Sequence, residues 1–332
     1  MSENSTFFRD TVERILADTL TQNDIEAAEQ RRLPTALYAA LVENGITALL
    51  VPEDAGGVGA ELGDAVAIAR ALGAAAAPGP VVETLVAQWL LADAGEAPVE
   101  GLIALVFAPH DGHRLFDVAW GGIADHVLVV GPAGLHLPSA ADWTVVPGHD
   151  AAGEPRDDLS IAALPPAIAS PVGYDRALRT AALLRAAQTL GAVEWTLACS
   201  IDYAGERKQF GREISKFQVI QQMLAELADH VLASAGIIEA AGANPSLALV
   251  AAARSRVADA ADSAITVGHQ VHGALGFSRE YALNHRTRRL MAWRDDFGSV
   301  AYWRRALAAA FVDCSREEFW PALSDAGLSP AA

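Results

Sequence analysis

The sequence is poor in cysteine, in positive charge and in long apolar runs, and each shortage excludes a class of protein. Its two cysteines, Cys199 and Cys314, lie in helical-looking runs without metal-ligand spacing. We therefore expect small buried apolar thiols, with no disulfide framework and no metal site. The sequence has 24 Lys and Arg residues and 41 Asp and Glu residues. The resulting net charge of −17 argues against nucleic acid or an anionic membrane as partner. A few local arginines can still bind an anion.

The sequence also shows no segment of the kind that directs a chain to or through a membrane. No apolar run approaches the roughly 18 residues needed to span a bilayer. The opening residues, MSENSTFF, lack the cationic and apolar segments of a secretion signal. We therefore expect a cytoplasmic protein without membrane contact. The 332 residues, of which 52% are hydrophobic, suggest two or three domains with some surface buried against another subunit.

Apolar periodicity divides the chain into three regions and predicts an α+β fold that is mainly α. Residues 1–98 have helical spacing at residues 7–18, 33–43, 64–72 and 81–91, which predicts a small helical domain. Residues 99–170 contain short apolar runs at 102–107, 126–130 and 143–146, which predict a small β domain with a loop over 147–158. Residues 171–332 contain four helical stripes, which predict an antiparallel bundle. Asn244 and Pro245 are expected to begin its third helix.

Two short stretches of the third region have the composition of a ligand site. Residues 206–211 (ERKQFG) follow the first bundle helix and can present Arg207 and backbone N–H groups to a phosphate. Residues 270–277 (QVHGALGF) carry Gly273 and Gly276, which permit close approach of a helix or a planar ligand. Each stretch also has a simpler interpretation. Basic residues complement the dipole at a helix end, and glycine is common where a helix stops.

Together, R-x-x-F-G and Q-x-H-G-x-x-G-F, about 60 residues apart, resemble the acyl-CoA dehydrogenase family. The helix start at residues 217–221 and the turn at residues 45–59 also resemble that family, so the resemblance covers nearly the whole chain. It implies an acyl-CoA dehydrogenase-like fold of helical domain, β domain and four-helix bundle. It also implies FAD held between subunits, oxidation of a CoA thioester at Cα–Cβ, and an electron-transfer acceptor.

The resemblance implies FAD contacts at six positions. Arg207 would contact the pyrophosphate of a neighbouring subunit's FAD, with Phe210 packing beside the adenine. The remaining implied contacts are Gln218, Gln270, Gly273 and Ala274. His272 has no catalytic counterpart in the family and is expected to be a solvated or packing residue.

The catalytic base is where the sequence departs from the family. The reaction needs a carboxylate to remove the α-proton while hydride leaves Cβ. Alignment from Gln270 puts Phe297 at one usual base position, and counting back from residues 210–211 puts Ala181 near the other. A one-residue shift would make Asp296 the base. The other interpretation of Asp296 is a solvated turn or a salt-bridged helix cap.

The middle region departs as well, since no Thr-Glu-Pro-x-x-Gly-Ser segment occurs between residues 102 and 168. Three hypotheses follow. In the first, the chain completes the FAD site of a heterotetramer in which a homologous subunit supplies the catalytic Glu, with a steroid-derived acyl-CoA as candidate substrate. In the second, the chain is a self-sufficient flavoenzyme that uses Asp296. In the third, it is a structural or regulatory partner without flavin.

Overall fold

A computed structural model describes residues 3–110 and 112–325 of the chain. The first two residues of the predicted N-terminal domain and the last seven of the predicted bundle domain lie outside these ranges. The described chain forms two compact units. One consists of residues 3–65 and 77–181. The other, called the bundle unit below, consists of residues 66–76 and 182–325. The predicted order of helical, strand and helical regions is confirmed, while the two predicted boundaries between the three domains stay predictions.

The N-terminal region contains each of the four predicted helical stretches and one short helix that periodicity missed. The helices are α1 (Glu3–Thr19), α2 (Gln22–Ala28), α3 (Thr35–Glu43), α4 (Leu62–Ala74) and α5 (Val81–Asp93). Only Ile25 and Ala28 are buried in the seven residues of α2, too few to produce a visible period. A capping box replaces that signal, because Thr21 and Asp24 bond each other's backbone N–H.

The middle region forms two small sheets within the described residues. The strands are β1 (Ile103–Phe107), β2 (Arg114–Ala119), β3 (His126–Gly131), β4 (Gly134–His136), β5 (Thr144–Val146) and β6 (Arg156–Ser160). One sheet has the order β1-β3-β4, with β1 parallel to β3, and the other is antiparallel with the order β2-β6-β5. The three predicted strands are confirmed. The predicted loop over residues 147–158 is wrong at its end, where β6 pairs between β2 and β5.

Asp157 explains why β6 looked like a loop. Its side chain is fully buried and accepts two hydrogen bonds from Arg31, at 2.8 and 2.9 Å, and others from the backbone N–H groups of Gly122 and Gly148. Burial alone would raise the pKa of Asp157, but these donors hold it below its ordinary value. The partner Arg31 lies 126 residues away, so the sequence pattern shows a charge run where the fold has a buried pair.

The C-terminal region is helical, as predicted, with a small hairpin after its first helix. Its elements are α6 (Gly173–Glu206), β7 (Lys208–Gln209), β8 (Arg212–Glu213), α7 (Gln218–Ala243), α8 (Leu247–His272), α9 (Ala282–Trp293), α10 (Val300–Ala309) and α11 (Arg316–Asp325). The core joins apolar residues of α6, α7, α8 and α9, including Val193, Leu227, Val267 and Leu290. Helix α9 was not predicted, because it buries His285, Arg286 and Arg289 beside its leucines.

The predicted start of the third bundle helix needs correction. Asn244 does not begin α8 but ends α7 in an extended conformation, with φ −144° and ψ 95°. The proline ring of Pro245 disfavours the helical conformation of the residue before it, so α7 stops there. Ser246 is the true cap of α8, since its hydroxyl accepts a hydrogen bond from the Leu249 N–H at 3.2 Å.

Two glycines explain why residues 66–76 belong to the bundle unit. A Cβ on Gly73 would lie 1.7 Å from the Gln188 carbonyl oxygen, and a Cβ on Gly191 would lie 1.9 Å from that of Arg70. Helices α4 and α6 therefore meet backbone to backbone. An ion pair between Arg70 and Glu194 bridges the same crossing.

Among the described residues, none of the helices combines the length and the hydropathy required to cross a bilayer.

Candidate functional site

The ERKQFG segment (residues 206–211) leads from α6 into a two-stranded hairpin. Helix α6 ends at Glu206, and the Arg207 N–H still donates to the Tyr203 carbonyl at 2.9 Å. The hairpin then pairs Gln209 with Arg212, and the Ile214 N–H donates to the Arg207 carbonyl at 2.8 Å. The backbone of Arg207 is thus fixed on both sides, while its side chain is exposed.

Phe210 stands at the tip of this hairpin in an unusual state. Its φ is 50° and that of Gly211 is 79°, the two positive values that a type I′ turn requires. A positive φ is rare for a bulky residue, and Asn is the residue usually found there. Phe210 is also 92% exposed, so a large apolar ring points into solvent. An exposed aromatic ring on a strained turn has the geometry of a contact with something outside this chain.

The second predicted stretch lies at the C-terminal end of α8. Gln270, Gly273 and Ala274 are exposed there, and Gly273 has φ 58° and ψ −139°, a conformation that only glycine adopts readily. A Cβ built on Gly273 would meet nothing within 4 Å, so this turn faces open space. Phe277 follows, 66% exposed and stacked on His269 with ring centroids 4.1 Å apart.

The two stretches meet at one end of the bundle unit. The Tyr203 ring, one turn before Arg207, stacks on the His272 ring with centroids 4.4 Å apart and an interplanar angle of 27°. A guanidinium, an exposed aromatic ring and an open glycine turn therefore lie at the same end. Gln218, exposed at the start of α7, is separated from the hairpin by a short 3-10 turn at Ile214–Lys216 and by Phe217. This set of groups suits a diphosphate joined to a planar ring. The specific contacts remain predictions.

His272 is not solvated, since it is only 3% exposed. Its Nδ1 lies 2.9 Å from the Gly268 carbonyl oxygen, and its ring packs between Tyr203 and Tyr281. Burial holds the pKa of His272 below its ordinary value. His272 is therefore packed inside the bundle unit.

The loop of residues 294–298, which carries one of the two predicted base positions, is held from inside the protein. Phe297 has φ 54° and Gly298 has φ 110°, so the chain turns sharply there. Arg254 donates from Nη2 to the carbonyls of Arg294 and Asp296 at 2.8 and 2.6 Å. Burial lowers the pKa of Arg254 to about 10, a value at which the side chain is still a cation at neutral pH.

A second buried arginine binds the carboxylate in this loop. The Nε of Arg185 lies 3.1 Å from Oδ2 of Asp296, and the two side chains are 4% and 9% exposed. The same guanidinium lies over the rings of Trp293 and Phe297, at 5.7 and 5.5 Å from their centroids, and bonds Gln188. Asp296 is therefore a member of a salt-bridged cluster. That Asp296 acts as the catalytic base stays a prediction.

Ala181, at the other predicted base position, is fully buried and bears no ionisable group. Four residues further along α6 stands Arg185, which sequence reasoning missed. The signal for Arg185 was available, because a cation inside the apolar run of residues 181–193 must find a partner when it is buried. The identity of that partner, Asp296, could not be read from the pattern.

Comparisons with known proteins agree with this architecture. Residues 2–99 match the acyl-CoA dehydrogenase N-terminal domain and residues 174–311 match the acyl-CoA dehydrogenase C-terminal domain. The chain is 30% identical over 290 residues to the acyl-CoA dehydrogenase IpdE2 of Mycolicibacterium smegmatis, covering 85% of this chain and 90% of that one. IpdE2 of Mycobacterium tuberculosis is also 30% identical over 290 residues, with 85% and 89% covered.

Solved structures share the fold at lower identity. The Tcur3481–Tcur3483 steroid ACAD matches with a TM-score of 0.81 at 22% identity, covering 92% of this chain and 97% of that one. The ChsE4–ChsE5 complex of Mycobacterium tuberculosis matches with a TM-score of 0.81 at 21% identity, covering 95% and 99%. The chain therefore belongs to the acyl-CoA dehydrogenase family, whose members are FAD-dependent oxidoreductases acting on acyl-CoA.

Proposed function

We propose that this chain is the base-lacking subunit of a heteromeric acyl-CoA dehydrogenase. It completes the FAD site, and a homologous partner chain supplies the carboxylate that removes the α-proton. The observation that carries this proposal is the loop of residues 294–298. A phenylalanine stands at the base position, and the adjacent carboxylate, Asp296, is bound to the buried guanidinium of Arg185 at 3.1 Å.

A catalytic base must reach the proton that it removes, within about 3.2 Å or through one water. Asp296 is 9% exposed, and its Oδ2 lies 3.1 Å from Nε of the Arg185 guanidinium, with which it forms an ion pair. The rings of Phe297 and Trp293 flank that same guanidinium. Ala181 contributes no acid or base. Both residues that the resemblance aligns with a base are thus apolar. Of the two carboxylates in the loop, Asp296 pairs with Arg185, and Asp295 accepts a hydrogen bond from the Val300 N–H at 3.1 Å.

The opposite end of the bundle unit supports a role in holding FAD. Arg207 would bind a phosphate oxygen through its exposed guanidinium, and Phe210 would cover an aromatic ring. The open backbone at Gly273 and Ala274 would lie along the pyrophosphate, with Gln218 and Gln270 as polar neighbours. When bound, FAD supplies the acceptor for the hydride that leaves Cβ. The contribution of this chain is charge, backbone N–H groups and an apolar cover.

Relatives of the same fold favour a paired assembly. Two of the similar structures are named by two chains each, Tcur3481–Tcur3483 and ChsE4–ChsE5, and the first is described as a steroid ACAD. We extend this to a heterotetramer with a homologous subunit and to a steroid-derived acyl-CoA as substrate. An external electron-transfer acceptor would complete the turnover.

Reconstitution tests this proposal. The chain is purified alone and after coexpression with a homologous chain that carries the family's Glu base, and flavin absorbance and acyl-CoA turnover are measured. We expect little flavin and no turnover from the single chain, and both from the pair. Full turnover by the single chain would contradict the proposal. An active pair without a flavin band in its visible spectrum would support the non-flavin partner role instead.

A further inference from the structure

A thiol, an imidazole and a phenol meet in the bundle unit at a place that the proposed function does not use. Cys199 lies on α6, His272 is the last residue of α8, and Tyr281 precedes α9. The Cys199 Sγ is 3.7 Å from His272 Nε2 and 3.6 Å from Tyr281 Oη. Both separations are within hydrogen-bonding range for sulfur, so the three groups form one network.

The direction of the network follows from its last member. His272 Nδ1 faces the Gly268 carbonyl at 2.9 Å, and because a carbonyl only accepts, Nδ1 carries the proton. The Cys199 backbone also lies near the ring, but the Gly268 carbonyl makes the close contact, so in the neutral ring Nε2 is the unprotonated nitrogen and it faces the thiol. Burial lowers the pKa of His272 and raises that of Tyr281, which favours the neutral ring and the intact phenol. The phenol O–H therefore donates to sulfur and the thiol donates to Nε2.

The thiol is reachable through a cavity of about 270 Å³. The cavity is lined by Cys199 and Tyr281, together with Trp195, Ala198, Asp202, Tyr203 and Glu206. The two carboxylates stand in the last turns of α6, where the helix end is itself negative. Among the described residues neither carboxylate has a cation within 4.0 Å. The Cys199 thiol also experiences the charge of Arg286, but that guanidinium lies over the Trp195 ring, 3.7 Å from its centroid, and the residue is 8% exposed. The exposed charges that line the cavity are Asp202 and Glu206, so its mouth attracts cations and repels anions.

We propose that Cys199 is a thiol-modification site at which His272 is the base, and that the site takes small cationic disulfides. In the reaction the thiol proton moves to His272 Nε2 while Sγ attacks one sulfur of the disulfide. The disulfide S–S bond breaks and a Cys199–S–S–R bond forms. The departing thiolate takes the proton from Nε2 and leaves as a thiol. Cys199 is oxidised, the departing half is reduced, and no further reactant is needed.

Burial raises the pKa of the Cys199 thiol, so the site rests as a protonated thiol and depends on His272 for activation. The other cysteine provides an internal comparison. Cys314 lies between α10 and α11 in a pocket lined by Asp313, Glu317 and Glu318, with no histidine or tyrosine among its lining residues. The two thiols thus share acidic surroundings and differ in the presence of a base.

The test follows disulfide adducts by intact mass. The Cys314→Ser chain, which keeps Cys199, is treated with cystamine, a dication, or with dithiodipropionate, a dianion. The rate with each reagent is divided by its rate with the same chain unfolded in urea, which removes differences in intrinsic reactivity. We expect the normalised rate with cystamine to exceed that with dithiodipropionate by about tenfold. A native Cys199 that forms no adduct, or one without charge preference, would overturn the proposal.

Variants separate the base from the charge. His272→Gln is expected to slow cystamine labelling of Cys199 by about tenfold or more. Tyr281→Phe, which keeps the ring, is expected to slow it about threefold, the loss of one weak donor. Asp202→Asn with Glu206→Gln should abolish the charge preference. Labelling by neutral hydroxyethyl disulfide should rise slightly, because Asp202 raises the pKa of the Cys199 thiol and its removal favours the thiolate. The Cys199→Ser chain, which keeps Cys314, reports the rate without a base. Equal rates for Cys199 and Cys314, or unchanged rates in folded His272→Gln and Tyr281→Phe variants, would refute the role of the network.

Discussion

The bundle unit contains two Phe-Gly turns that share positive φ values at both residues and lie in opposite surroundings. Phe210 and Phe297 have φ values of 50° and 54°, and each is followed by a glycine with positive φ. At residues 294–298, Arg254 binds the loop carbonyls, and Trp303 Nε1 donates to the Phe297 carbonyl at 3.1 Å. At the hairpin tip, the ring of Phe210 is 92% exposed and makes an edge contact with Phe217, with centroids 6.2 Å apart.

The 294–298 loop is stabilised by contacts within its own chain, whereas the ring of Phe210 at the hairpin tip is exposed. Backbone strain persists where the surrounding structure stabilises it, and the 294–298 loop obtains that stabilisation from two buried arginines of its own chain. At the hairpin tip, the pairing of the short strands β7 and β8 holds the backbone. We infer that the missing contact at Phe210 comes from cofactor and partner, while the 294–298 loop needs nothing further. The variants below test each half of this comparison.

The largest effect is expected from Arg185→Ala. Removing the guanidinium breaks the buried pair with Asp296, at a cost of about 3–5 kcal/mol, and leaves Arg254 as a cation near that carboxylate. The free energy of unfolding, measured in urea, should fall by that amount. Arg294→Ala is the matched control, because Arg294 pairs with Asp262 and Asp295 at the surface and such pairs are worth about 0–1 kcal/mol. Equal losses in the two variants would show that the 294–298 loop is not held from inside.

An intermediate effect is expected from Arg207→Ala. A charge-assisted hydrogen bond to a phosphate is worth about 1.5–3 kcal/mol, so FAD retention by the assembled complex should fall about 10- to 150-fold. Stability of the chain without FAD should not change, because the Arg207 side chain is exposed. Flavin absorbance after gel filtration measures the retention. Lys208→Ala, at the next exposed position, is the control for loss of one positive charge. Equal flavin occupancy in the Arg207→Ala variant and the wild type would contradict the assignment.

The smallest effect, and the most specific one, is expected from Phe210→Asn. Asn-Gly is the preferred type I′ pair, so the free energy of unfolding of the lone chain should stay equal or rise by about 0.5–1 kcal/mol. The same change removes the exposed ring, and flavin retention by the complex should fall. A gain in stability with a loss in binding is the signature of strain kept for function. Loss of stability in the lone chain would mean that the ring packs within its own subunit.

The sequence predicted those elements whose signal is local. The apolar stripe of α6, the strand at β3 and the ERKQFG segment all follow from neighbouring residues. Elements that depend on distant partners were missed or misread. Strand β6 carries Asp157, which looks solvated until Arg31 reaches it, and α9 buries three basic side chains where periodicity expects leucines.

The candidate site divides along the same line. Exposed residues of a short motif, such as Arg207 and Gly273, could be found by resemblance. The buried cluster of Arg185 and Asp296 joins residues 111 positions apart, and the thiol network joins Cys199 to His272 across 73. The spacing of residues along the chain does not predict such long-range pairs. They are recognised in the structure, where the two side chains are buried next to each other.

The most direct test of the central claim is to ask which chain of the complex provides the base. Two complexes are compared with the wild type for acyl-CoA turnover, at matched flavin content. One carries Asp296→Asn in this chain, and the other carries Glu→Gln at the base of the homologous partner. We predict that turnover survives in the first and is lost in the second. Loss of turnover in a folded, flavin-loaded Asp296→Asn complex would contradict the account.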